Sequence, residues 1–122
     1  MTEKEQLELV LEYAGNIRYI INPCEAAQLI AVRQDGYSIQ HIDNPSEAVQ
    51  LAAVKRFGMA LQFIPHPTEE MKLAAVQQHG WAIQDIPNPS EAVQLAAVQR
   101  YATSIHYIKD PSPLVALLGE YE

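Results

Sequence analysis

Prolines stand at positions 23, 45, 67, 89 and 111, each 22 residues after the one before. Around two of them the chain repeats itself letter for letter: NPSEAVQLAAV occupies 44–54 and again 88–98. A fixed period of this length marks a repeat architecture, in which one small supersecondary unit is copied and each copy is buried by its neighbours. Cutting at the prolines gives units 23–44, 45–66, 67–88 and 89–110. Residues 1–22 keep the same frame without the proline, with Leu7, Val10, Ile17 and Ile20 in register, and 111–122 begin a sixth, partial unit. The repeat covers the whole chain and makes it a single domain, long enough at 122 residues to bury a core.

Each unit reads as a longer helix followed by a shorter one. Asn22, Asn44, Asn88 and Asp110 precede the prolines and suit a helix N-cap, which would put proline at N1 and Glu25, Glu47, Glu69 and Glu91 at N3. Gly36, Gly58 and Gly80 then fall where a C′ glycine would end the helix; Ala14 and Ala102 take that place in the first and fifth units. In the segments that follow, the fixed apolar residues are three apart: Ile17 and Ile20, Ile39 and Ile42, Leu61 and Ile64, Ile83 and Ile86, Ile105 and Ile108. That spacing suits a helical turn, whereas a strand would want two. Across the first helix Ala48, Val49, Leu51, Ala52 and Ala53 cover roughly 200° of the helical wheel, which calls for neighbours on two sides. The closely spaced strand leucines and the asparagine of leucine-rich repeats are absent. The expected fold is an all-α, right-handed helical-repeat solenoid: five 22-residue units and a C-terminal capping helix.

The units resemble a family of tandem short helical repeats found in bacterial and bacteriophage proteins, mostly of unknown function. NPSEAVQLAAV, the glycine after it and the AIQ-x-I of residues 82–86 carry the resemblance, over nearly the whole chain. It implies a helical solenoid, no catalytic residues, and a setting in which small single-domain proteins often bind host or competitor factors.

Composition narrows the function further. A net charge of −7 argues against binding nucleic acid directly, which needs a basic face. No apolar run is long enough to span a membrane, and the charged opening MTEKEQLELVLEY is unlike a signal peptide. A cytoplasmic protein of a bacterium or an infected bacterial cell is expected. Phosphate-binding loops, dinucleotide fingerprints, HExxH and paired CxxC motifs are all missing, so neither an enzyme nor a cofactor or metal site is expected. The four histidines occupy four different repeat positions and build no ladder of ligands. Cys24, the single cysteine, replaces the Ser or Thr of position 2 and reads as serine-like. The first helix, where Lys4, Glu5 and Glu8 replace apolar scaffold residues, reads as a polar cap.

Positions that vary between units are free for recognition. Counting from the proline, eight of the nine aromatic residues lie at positions 13, 15 and 19, Tyr121 being the exception. Position 13 carries Tyr13, Phe57, His79 and Tyr101; position 15 carries Tyr37, Met59 and Trp81; position 19 carries Tyr19, His41, Phe63, Asp85 and Tyr107. Stacking should align them into a ridge of the residue types enriched at interface hot spots, or else half-bury the rings between units. Arg33, Lys55, Arg56 and Arg100, at positions 11 and 12, form a small basic strip or merely a solvated surface. The expected function is a protein-binding module, the chain being a bacteriophage or bacterial protein that binds and modulates a host or defence factor. Two alternatives are an acidic nucleic-acid mimic built on the aligned glutamates and a self-assembling scaffold. For self-association, Leu114 and Leu118 replace alanines in the last helix and would form an apolar patch with Val115, covered in a homodimer.

Overall fold

The computed structural model describes residues 1–119; Tyr121 and the end of the sixth unit lie outside the described residues. Six α-helices run in series: α1 (Glu3–Glu12), α2 (Glu25–Gln34), α3 (Glu47–Arg56), α4 (Glu69–Gln78), α5 (Glu91–Arg100) and α6 (Pro113–Gly119). After each of the first five comes a six-residue 3₁₀ helix: η1 (Ala14–Tyr19), η2 (Gly36–His41), η3 (Gly58–Phe63), η4 (Gly80–Asp85) and η5 (Ala102–Tyr107). Each α-helix packs on the next, and each 3₁₀ helix packs on its own α-helix and on the following one. The fold is an all-α helical-repeat solenoid. Among the described residues there is no strand and no helix long and apolar enough to cross a membrane.

Ten-residue helices are marginal in isolation, so the stack must hold them. Burial follows the period. Positions 5, 9 and 10 are fully buried in the middle units: Val49, Ala53 and Val54 in α3, Met71, Ala75 and Val76 in α4. Ala48, by contrast, is exposed and Leu51 and Ala52 are half-buried, so the wide apolar arc is buried at its centre and open at one rim. The three-residue spacing of the short segments matches the three residues per turn of a 3₁₀ helix. Ile39 and Ile42, or Ile83 and Ile86, thus fall one above the other and both reach the core.

The helix starts differ from expectation. The N-caps are Cys24, Ser46, Thr68 and Ser90, one residue after the proline, and Glu25, Glu47, Glu69 and Glu91 are N1 rather than N3. The Ser46, Thr68 and Ser90 hydroxyls accept from the backbone N–H of Val49, Met71 and Val93. Asn22, Asn44 and Asn88 have φ of 52°, 48° and 51°: just before Pro23, Pro45 and Pro89 they take the left-handed conformation that asparagine tolerates. Cys24 makes no side-chain cap bond, so the serine-like role is not fulfilled. Its N–H instead donates to the Gln6 side-chain Oε1 at 2.8 Å. Among the described residues a true capping box appears only in α1, between Thr2 and Glu5. There the Thr2 backbone N–H, donating to the carboxylate at 2.9 Å, holds the Glu5 pKa below its ordinary value. Lys4, Glu5 and Glu8 are all exposed, as a polar cap requires.

The glycines are also used differently. None of the described glycines has positive φ. A Cβ on Gly36, Gly58 or Gly80 would meet the carbonyl oxygen of Ala53, Ala75 or Ala97 in the next α-helix at 2.6, 2.7 and 2.6 Å. Glycine is there to let successive units touch backbone to backbone, and the helix ends one residue earlier on an extended residue such as Phe57.

Candidate binding surfaces

Five rings from three units form one continuous run. Phe63 meets Tyr37 edge to face at 5.7 Å, Tyr37 meets Phe57 at 4.6 Å, and Phe57 meets His79 at 5.5 Å; His79 then tilts against Trp81 at 5.1 Å. Such pairs contribute about 0.5–1.5 kcal/mol each beyond the area they bury. Extended backbone at position 13 turns Phe57 and His79 out of the helix ends, and the first turn of each 3₁₀ helix carries Tyr37 and Trp81 beside them.

The ridge is therefore not uniform. Tyr37, Phe57, Met59 and His79 are half-buried in it, while Phe63 and Trp81, at its two ends, remain 37% and 38% exposed. The flanking rings stand apart from the run. Tyr13 folds over Gly15, the Arg18 guanidinium lies 5.2 Å from the Tyr19 ring, and that of Arg100 lies 4.6 Å from the Tyr101 ring. Tyr13, Arg18, Asp35, Tyr37 and His41 line a polar cleft of about 200 Å³ between the first two units.

The position-19 side chains border a different feature, which sequence reasoning missed. Between successive loops runs a row of equivalent clefts, each lined by an isoleucine pair or its counterpart and by prolines. Phe63 borders one of about 560 Å³, Asp85 one of about 330 Å³ and Tyr107 one of about 470 Å³. Its signal was present in the regular Asn-Pro pairs, which bring the loops back at a fixed distance from each 3₁₀ helix.

A further groove, of about 410 Å³, lies between α2 and α3. Ala48, Leu51 and Ala52 form its floor, and Arg33, Lys55 and Arg56 surround it. The basic strip thus gathers at one junction; Arg100 stands apart, over Tyr101. The helix-start glutamates line the opposite edge and are exposed, but two of them are engaged. Glu25 accepts from the Ser46 hydroxyl at 3.0 Å and Glu69 from that of Ser90 at 2.6 Å.

The last helix needs a correction. Val115 is completely buried, as position 5 is in every helix from α2 onward, and it cannot belong to an exposed patch. Leu114 and Leu118 are exposed, at 47% and 39%, and Leu117, not foreseen, is exposed at 48%. Positions 4 and 8 lie on the outer face of the stack rather than between units, as exposed Ala48 and half-buried Ala52 show. No three His, Cys, Asp or Glu side chains among the described residues converge as metal ligands. Comparison of the chain with protein-family models, with curated proteins and with solved structures finds no match.

Proposed function

We propose that this chain is a non-enzymatic module that binds a protein partner through the aromatic ridge, in a bacterial or phage setting where it modulates a host or defence factor. The observation that carries the reading is the unequal burial within the ring run. Phe63 and Trp81 each present an open face while Tyr37, Phe57 and His79 hold them in place. Anchors fixed in advance lose little freedom on binding, and exposed Trp and Phe faces fit the centre of an interface. The nucleic-acid mimic is the weaker reading, because Ser46 and Ser90 already engage two of the four aligned carboxylates. Pull-down from bacterial lysate followed by mass spectrometry tests the ridge. The double variant Phe63→Ala/Trp81→Ala should lose at least ten-fold in partner recovery, on the scale of one or two hot-spot truncations. Equal recovery of the same partner by both proteins would reject it.

A second reading rests on a separate observation, the three exposed leucines of α6. We propose that a second copy of the chain covers Leu114, Leu117 and Leu118 about a twofold axis, the commonest oligomer symmetry. Light scattering at micromolar concentration should give twice the 13.6 kDa chain mass, reduced to the single mass by Leu118→Glu. A wild-type mass of one chain removes this reading and leaves the ridge untouched.

A further inference from the structure

We propose that the groove between α2 and α3 takes an acidic peptide segment carrying one apolar side chain. The inference deepens the reading of the chain as a protein-binding module, on which it rests, by naming the chemistry of the segment it binds.

The groove is amphipathic. Ala48, Leu51 and Ala52 line its floor, and Arg33, Lys55 and Arg56 stand around it, all three cations exposed. This is a concentration of positive charge in a chain whose net charge is −7. The cations sit at the C-terminal ends of α2 and α3, and Glu25 and Glu47 open the same helices. Nine residues of helix at 1.5 Å each separate the backbones of Glu47 and Arg56 by about 13 Å, beyond the ~8 Å screening length at physiological salt. The nearer Asp35 carboxylate, which accepts from the Tyr37 backbone N–H at 3.0 Å, offsets at most one of the three cations. The cations are therefore not cancelled by the acidic edge.

Complementing the helix dipole does not account for the cluster. The last turn of α4 has no basic residue, and that of α5 has Arg100 alone. At the α4–α5 junction the equivalent floor, Ala92, Leu95 and Ala96, recurs beside Gln77, Gln99 and Arg100. The same scaffold is thus built with one cation at that junction and three at the other. An apolar floor with a cationic rim suits a side chain such as leucine flanked by carboxylates. Arg33 and Arg56 are the side chains that clamp a carboxylate with two parallel N–H bonds. A nucleic-acid backbone fits less well: three cations neutralise few phosphates, an apolar floor offers them nothing, and the glutamate edge repels a long polyanion.

Selection of a displayed random dodecapeptide library on the whole protein, followed by fluorescence anisotropy of the selected peptides, tests the proposal. Asp and Glu should be enriched around one aliphatic or aromatic residue. Affinity should fall at least ten-fold for the exposed-site variant Arg33→Gln/Lys55→Gln/Arg56→Gln, and for the unmodified protein when NaCl is raised from about 50 to about 500 mM. Peptides that keep their affinity for Phe63→Ala/Trp81→Ala support the groove even where the ridge reading fails. Neutral or basic selected peptides, equal affinity for wild type and the charge variant, or equally tight binding of a dT12 oligonucleotide would overturn it.

Discussion

Gly58→Ala is expected to destabilise the protein by about 2 kcal/mol, a single methyl group acting on the seam between two units. The added Cβ would sit 2.7 Å from the Ala75 carbonyl oxygen and 3.2 and 3.3 Å from that residue's Cα and carbonyl carbon. All three are backbone atoms of α4, so no side chain can swing aside. Relief requires η3 to move away from α4, which loosens Ala60 and Leu61 in the core. The Gln78 side chain would be disturbed as well. Its Oε1 accepts from the Gly58 N–H at 2.8 Å while its Nε2 donates to the Val54 carbonyl at 2.9 Å, tying the two units together. Gly→Ala normally gains about 0.4–1 kcal/mol from the unfolded chain, and that gain is outweighed here by overpacking. Gly15→Ala supplies the contrast, because its Cβ would meet only the ring of Tyr13, 61% exposed and free to turn. Urea denaturation of the two variants should therefore differ in sign or come close to it. A Gly58→Ala loss below about 0.5 kcal/mol would mean that the units yield more easily than the backbone contact implies.

The same glycines show how far the sequence alone reaches. Their spacing was visible and their role was misread, because a glycine twelve residues into a helical pattern suits a left-handed C′ as well as a close approach. Only the neighbouring unit decides between the two, and the neighbour is 17 residues away at Ala75. Asparagine posed the same ambiguity at the helix start. Asn44 suits an N-cap and a left-handed turn alike, and Ser46 lies close enough to take the cap itself. The period of 22, the pairing of a long with a short helix and the burial of Ile39 and Ile83 were all legible, since each follows from periodicity within one unit. The α6 patch was only half legible. Position 5 alternates with position 4 on a wheel that the sequence does not orient, so Val115 was placed outward when it faces inward. The ring run was legible as a set of positions but not as a graded surface, because burial there depends on which rings meet across units.

That gradation leads to the second large effect. Tyr37→Ala should cost about 2–3 kcal/mol of stability, and Trp81→Ala less than about 1 kcal/mol, although tryptophan is the larger side chain. Tyr37 links the second unit to both rings of the third. Its ring contacts Phe57 at 4.6 Å and Phe63 at 5.7 Å, and its backbone N–H is held by Asp35, so its removal opens a gap between the second and third units. Full burial of an aromatic ring would set the cost near 3–5 kcal/mol, and half-burial with a partly collapsible gap lowers it. Trp81 meets only His79 within the run, at 5.1 Å and a 42° tilt, and remains 38% exposed at the end of it. If the ridge only sealed the corners of the stack, both rings would be structural and both substitutions would lower the denaturation midpoint comparably. If it reads a partner, stability and binding should separate: Tyr37→Ala shifts the midpoint, while Trp81→Ala leaves it nearly in place and lowers partner recovery. Equal destabilisation by the two substitutions would make the ridge a packed seam and transfer recognition to the clefts and the basic groove.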